Sequence, residues 1–307
     1  MRLRTSTYPA LVASRAKWER GVKNLDALEE RAGEVAERDP YGIDIEFDRK
    51  TGWHTAYARI RELPPPDLSV LIGGAAYQFL SALNLVVWEL AERKIGRHKI
   101  NEGRIANDIA VPIARKPEDF ESLRLVTQAY VSKPAIARLR GVQPYSGPDP
   151  AEIPRHPLLV LKPLADTDKH RILAGVFGLV KYEGIHFVWD ESVARDPTFE
   201  RLVPSDARFV YANAPLARVR FQVGNAKVKV DVNRQPSAEI QFSDGRRMYS
   251  AEVMRAIAGA THWAITYLTP LFPGEENPWG EPMPWPSVTV PTHHGSTSDA
   301  STPKGYA

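Results

Sequence analysis

LSVLIGGAAYQFLSALNLVVW, residues 68–88, contains no charged side chain and lies between Asp67 and Glu89. As a helix it would be apolar around most of its circumference, so it must be buried in protein or in lipid. It is long enough to cross a hydrocarbon layer of ~30 Å. Basic residues that would form a cytoplasmic flank follow it: Arg93, Lys94, Arg97 and Lys99.

Three polar residues within that segment argue against a membrane span. Gln78, Ser81 and Asn84 recur at helical spacing and form a polar seam along one side. The rest of the chain contains no second apolar segment of this length. We therefore predict a central helix packed on most sides and no membrane partner. The seam predicts self-association of the chain as a homodimer, with these three residues at the interface.

The composition is typical of a globular protein, with 43% hydrophobic and 25% charged residues in a chain of 307. This length is enough for one large domain or two small ones. Lys and Arg number 40 against 37 Asp and Glu, and a net charge of +3 does not by itself indicate nucleic-acid binding. The absence of cysteine excludes disulfides, thiolate catalysis and cysteine metal sites. We expect a cytoplasmic protein without a cofactor or a metal.

The first part of the chain, residues 1–175, is predicted to be mainly helical with one β-hairpin. The central helix is expected to begin at Asp67 as its N-cap, to run to about Arg93 and to end at Gly96. Alternation on either side of a turn that contains Gly52 predicts the hairpin over 41–60. Apolar residues at helical spacing predict further helices over residues 10–38, 117–130, 134–140 and 158–170.

The second part, residues 176–272, changes to the alternation of half-buried antiparallel strands. Strands are predicted over residues 207–211, 216–223, 226–232 and 238–242. A last helix is expected over 249–268, and the proline-rich residues 273–307 are expected to form a disordered tail. The fold class is therefore α+β, and the two parts are expected to share one core.

Three segments, taken in order, resemble a family of uncharacterised actinobacterial proteins. The long first helix ends in ERDPY, PPPDLSVLIGGAAYQFLSALNLVVWEL follows, and LADTDKHRIL comes later. The resemblance covers about residues 10–175. The central helix of that family usually reads like GDALHNLRSALDHLAWQL, and its Arg and His have the spacing found in HEPN ribonucleases. There, a His moves a proton and an Arg stabilises phosphate charge.

This chain departs from that motif at the residues that would carry the chemistry. Aligned on Ser81, the Arg position is Leu80, the Asp is Asn84 and the His is Leu85. Arg93 and His98 regain the same spacing further on, with Gly96 between them. They are either a displaced catalytic pair or a solvated helix end, where cations meet the C-terminal dipole favourably.

Asp166, Asp168 and His170 form a second catalytic candidate, because alternate residues share one face of a strand. In a helix only Asp166 and His170 would share a face. The alternative is a buried polar cluster in which a carboxylate holds His170 or Arg171. Phosphate-binding loops, dinucleotide fingerprints, HExxH and GxSxG are absent, so the sequence contains no recognisable catalytic motif.

Four basic residues are candidates for binding an anion or a nucleic acid. A hairpin turn at Gly224 and Asn225 would place Arg220 opposite Lys229 and Arg218 opposite Asp231, on the same face as Gln222 and Lys227. Like charges opposite each other are unfavourable, which points to an anion, a phosphate backbone or a nearby acidic segment on that face. A solvated sheet face is the alternative. The candidate residues are Arg218, Arg220, Lys227 and Lys229.

The sequence supports one leading functional hypothesis and one alternative from a different class. The leading hypothesis is a non-catalytic binding or interaction protein, with an RNA or a protein as its partner. The alternative is a HEPN-like ribonuclease or nucleic-acid-binding protein with a displaced site.

Overall fold

The structure is a computed structural model, and it describes residues 9–38, 40–102, 105–147, 149–169, 175–181, 187–189, 197–202, 214–221, 229–232, 237–243 and 248–280. Within them the helices are α1 (Ala10–Glu37), α2 (Pro66–Ile95), α3 (Arg97–Glu102), α4 (Pro117–Glu121), α5 (Arg124–Thr127), α6 (Lys133–Gly141), α7 (Pro157–Lys169) and α8 (Ala251–Leu268). The strands are β1 (Tyr41–Asp48), β2 (Trp53–Ile60), β3 (Gly175–Lys181), β4 (Phe187–Trp189), β5 (Thr198–Arg201), β6 (Pro215–Arg220), β7 (Val230–Val232), β8 (Ser237–Ser243) and β9 (Met248–Ser250). The predicted α+β class is confirmed.

Helix α2 is the central helix of the core and packs against α1, α7 and α8. It is also the one described helix whose length and apolar composition would allow it to cross a membrane. It begins after Pro65, so the N-cap predicted at Asp67 is wrong. Asp67 lies in the first turn, where its charge suits the helix dipole, and it accepts a hydrogen bond from Arg31 Nε at 3.0 Å. Gly96 ends the helix as predicted, with φ +81°.

Helix α1 lies close to α2 at Gly21. A Cβ added there would lie 2.5 Å from Cε1 of Phe79, which is fully buried. Gly33, on the same helix, has nothing within 4 Å of an added Cβ. A glycine inside a helix is intrinsically unfavourable by about 1 kcal/mol. Helix packing therefore requires a glycine at position 21 and does not require one at position 33.

Gly21→Ala is expected to destabilise the protein, and Gly33→Ala to stabilise it. At Gly21 an overpacking cost of about 1–3 kcal/mol outweighs the gain in helix propensity, because the added methyl group would overlap the fully buried Phe79 ring. At Gly33 only the gain applies, up to about 1 kcal/mol. Urea unfolding of both variants measures the difference. Stabilisation by both substitutions would contradict this packing of α1 on α2.

The predicted hairpin forms as β1 and β2 and becomes half of a larger sheet. The four-stranded antiparallel sheet has the order β1-β2-β6-β5. Two smaller antiparallel sheets have the orders β3-β8-β9 and β4-β7. The predicted strands at 216–223 and 238–242 correspond to β6 and β8. The strand predicted at 207–211 lies outside the described residues.

The predicted pairing of residues 216–223 with 226–232 is wrong. Strand β6 has β2 on one side and β5 on the other, and β7 pairs with β4 instead. Arg218 lies opposite Thr55 and Glu200, and Arg220 opposite Trp53 and Thr198. This register avoids the unfavourable opposition of like charges, because Arg218 meets a carboxylate. The predicted turn at Gly224 and Asn225, with Gln222 and Lys227, lies outside the described residues.

Two other predictions need correction. The helix predicted over 117–130 is divided into α4 and α5, and Leu123 between them is 36% exposed. The tail predicted from residue 273 begins too early. Trp279 is buried, and its indole N–H donates to the Leu11 carbonyl oxygen at 3.1 Å, so the chain returns to α1 at this residue. Residues 281–307 lie outside the described residues.

Candidate anion or nucleic-acid interface

The four-stranded sheet has one apolar face and one exposed, charged face. Ala56, Ala217 and Val219 point to the apolar side and form a small core there with Phe187 and Phe221. Side chains alternate along each strand, so the residues between them point the other way. The register therefore places Trp53 with Arg220, and Thr55 with Arg218, on the exposed face.

Trp53, Arg218 and Arg220 form a compact group, which we call the Trp53 cluster. The guanidinium carbon of Arg218 lies 4.4 Å from the Trp53 ring centroid, and that of Arg220 lies 5.0 Å from it. Both distances are within the range of a cation–π interaction. Arg218 also donates to Glu200 Oε2, from Nε at 2.8 Å and from Nη2 at 2.6 Å. Two guanidinium groups are thus held beside one half-buried indole.

The turn between β1 and β2 adds charge beside Trp53. Arg49 and Lys50 are exposed there. The Asp48 carboxylate accepts hydrogen bonds from the Thr51 hydroxyl at 2.6 Å and the Lys50 N–H at 2.8 Å. The Thr51 bond is the main reason that the pKa of Asp48 lies below its usual value. Asp48 is therefore a stable anion engaged within its own turn.

The two ends of the exposed face differ in the sign of their charge. Arg59 bridges Asp44, at the far end, and Glu46, which lies level with Arg218 across Thr55, at 2.8 Å each, and these three charges sum to −1. At the Trp53 end, four cations and two carboxylates sum to +2; they are Arg49, Lys50, Arg218, Arg220, Asp48 and Glu200. An anion is accordingly attracted to the Trp53 end and not to the other.

The structure brings together two of the four basic residues that were predicted as a site. Arg218 and Arg220 share the Trp53 cluster. Lys229 is exposed just before β7, in a different sheet, and Lys227 lies outside the described residues. Trp53 was not predicted as a site residue. The sequence predicts its position at the start of a hairpin strand. It does not predict the contact with β6, because β6 is distant along the chain.

Arg93 is engaged within the chain. It pairs with Glu89 at 3.0 Å and with Glu275, and its guanidinium carbon lies 4.8 Å from the Phe272 ring centroid. His98 is exposed on α3, beyond the turn at Gly96. The structure therefore gives Arg93 a role in holding residues 272–275 against α2. A catalytic role for Arg93 and His98 stays a prediction.

The second catalytic candidate is only partly described. Asp166 accepts a hydrogen bond from Lys162 Nζ at 3.1 Å within α7. It borders an open cleft of about 290 Å³ that Arg115 and Asp119 also line. Asp168 lies within α7. His170 lies outside the described residues. The described part of the chain contains no group of three metal-ligating side chains.

The polar seam of α2 contributes to packing within the chain. Asn84 Oδ1 accepts a hydrogen bond from the Val111 N–H at 2.8 Å. Gln143, which is buried, holds the same segment by accepting from the Ala114 N–H at 2.9 Å. Gln78 and Ser81 are half-buried on α2. An interface between two copies of the chain at Gln78, Ser81 and Asn84 stays a prediction.

Comparisons with protein-family models, with curated proteins and with solved structures found no match. The resemblance to the actinobacterial family therefore stays a prediction, and the functional argument rests on the geometry of the Trp53 cluster.

Proposed function

We propose that this chain is a non-catalytic, cytoplasmic binding protein that holds an anionic ligand at the Trp53 cluster. One observation carries the proposal. Arg220 is exposed and stacked on Trp53, and it has no carboxylate partner among the residues that the structure describes. Its neighbour Arg218 is already neutralised by Glu200. Within the described ranges, Arg220 is thus a positioned cation whose donors no carboxylate takes up.

The cluster is suited to an anion for two physical reasons. A guanidinium presents several N–H donors in a rigid plane that matches phosphate and carboxylate oxygens. Stacking on Trp53 restricts the two long side chains before a ligand arrives, so less conformational freedom is lost on binding. Bound anion would also offset the repulsion between the two guanidinium groups.

The same residues support binding more than catalysis. General acid–base chemistry needs a group that exchanges a proton near neutral pH. Trp53 does not titrate, and arginine stays protonated throughout this range. The HEPN-like alternative would require Arg93 to leave Glu89 and Glu275, the two carboxylates that hold it.

Binding of a fluorescein-labelled heparin oligosaccharide tests the proposal. We expect affinity to fall about 10-fold or more between roughly 50 and 200 mM salt, because cation–anion contacts release counterions. Arg220→Gln is expected to weaken binding and to reduce the salt slope by about 1, as for one lost contact. Fluorescence anisotropy across a salt series provides both values.

Arg59→Gln is the matched control, since Arg59 lies on the same face but is held by Asp44 and Glu46. It should change both affinity and slope less than Arg220→Gln does. Equal losses in the two variants, or an affinity that ignores salt, would remove the Trp53 cluster as the site.

A further inference from the structure

We infer that the ligand of the Trp53 cluster is a single-stranded nucleic acid, an inference that rests on the proposed function. The cluster combines the two features that such a ligand uses. Its cations can follow a phosphate backbone, and its flat π surfaces can stack against bases. A simple polyanion would use only the first of these features.

The stacking surfaces are visible in the contacts of Trp53. The indole is half-buried at the start of β2 and lies against the guanidinium groups of Arg218 and Arg220. Unstacked bases bind to aromatic rings and also to guanidinium planes. The cluster therefore brings an aromatic ring and two guanidinium groups together on one exposed sheet face.

A single strand fits this surface better than a duplex. In a duplex each base is stacked between neighbouring bases, so its faces cannot stack on Trp53 or on a guanidinium group. A single strand can turn a base onto Trp53 while its phosphates contact Arg220. Arg49 and Lys50 in the adjacent turn extend the positive surface away from β2.

Negative charge on the sheet face limits the path that a bound nucleic acid can follow. Asp44 and Glu46 lie on β1, opposite Tyr57 and Thr55 of β2. Their net negative charge, after pairing with Arg59, repels phosphates. We therefore expect Trp53 to bind a base and Tyr57, on the same strand and face, to make no contribution.

The test compares three labelled probes by fluorescence anisotropy. They are a single-stranded RNA of about 12 nucleotides, within the range of site sizes for such surfaces, the same RNA annealed to its complement, and a heparin oligosaccharide. Single-stranded RNA should bind about 10-fold more tightly than either other probe. A single-stranded DNA of the same sequence also presents phosphates and unstacked bases, so its affinity shows whether the sugar contributes to binding.

Trp53→Leu should weaken binding of single-stranded RNA by about 10-fold, as expected for a lost stacking contact. It should weaken heparin binding by a clearly smaller factor, because heparin loses only the restriction of the two arginines. Trp53→Phe should restore most of the RNA affinity. Tyr57→Leu is the matched control and should bind RNA like the parent protein. Thermal unfolding of each variant establishes that the fold is retained.

The outcomes separate the inference from the proposed function. Salt-dependent heparin binding with no preference for single-stranded RNA, or equal losses for both probes in Trp53→Leu, would overturn the inference and leave an anion-binding protein. If no probe bound in a manner that depends on Arg220, the proposed function itself would fail.

Discussion

Trp279→Ala is expected to lower the free energy of unfolding by about 3–5 kcal/mol, as for other buried aromatic side chains. Trp279 is 3% exposed although it follows a proline- and glycine-containing turn after the last helix. Its ring packs edge-on against Trp18 and His262, with centroids 5.8 and 5.2 Å away. Arg15 lies over the same ring at 5.2 Å. The substitution removes all of these contacts at once.

Trp279→Phe distinguishes the contribution of ring packing to stability from that of the indole hydrogen bond. Phenylalanine retains much of the apolar contact but cannot donate to the Leu11 carbonyl oxygen. We expect an intermediate loss of about 1–3 kcal/mol, because a buried acceptor is left without its donor. Urea unfolding of the two variants gives the comparison. A loss below about 1 kcal/mol for Trp279→Ala would show that residues 273–280 do not stabilise the helical core.

Acidification is expected to destabilise the protein through His156. Burial lowers the pKa of His156 to about 4, from an unfolded value of about 6.5. The unfolded chain therefore binds the proton more readily than the folded chain. The stability that depends on neutral His156 is complete above pH ~6.5, and about 3 kcal/mol of it is lost as the pH falls to about 4.

The contacts of His156 explain why the neutral ring is required. Its Nδ1 accepts a hydrogen bond from the Leu158 N–H at 3.2 Å, in the first turn of α7. Protonation converts this acceptor into a donor and places a charge beside the core. Helix α7 packs on α2 and α8, so the loss at its start affects the central core.

His156→Gln is the variant that isolates this effect. Glutamine offers a polar side chain without a titration in this range, so the variant should lose less stability between pH ~6.5 and ~4 than the parent protein. His262→Gln should change the acid loss less, since His262 is less buried and its pKa is lowered by burial and then by Arg15. Urea unfolding at each pH measures these differences. Parallel stability curves for parent and His156→Gln would exclude His156 as the cause.

The long elements could be predicted because their signals are local. Apolar residues at helical spacing predicted α1, α2 and α8, and alternation around Gly52 predicted the β1–β2 hairpin. Within the last helix, Val253, Ile257 and Ala264 recur at helical spacing, and all three are buried. Each of these elements carries its pattern within its own residues.

The short elements and the sheet neighbours could not be predicted in the same way. The pairing of residues 216–223 with 226–232 was inferred from proximity in sequence, but β6 pairs with two distant strands. Alternation shows which side of a strand is apolar and does not show which strand lies beside it. Arg218 and Arg220 were therefore predicted as basic candidates, while Trp53 was not.

The sequence alone determined the α+β fold class and the central position of α2, and it singled out Arg218 and Arg220 as candidate site residues, since periodicity and residue chemistry are properties of short segments. The tertiary structure decided that Trp53 meets those arginines, that Glu200 neutralises one of them, and that Trp279 returns to α1. These contacts join residues that are far apart along the chain. They are selected by the burial of whole elements in a common core, and local patterns carry no information about that choice.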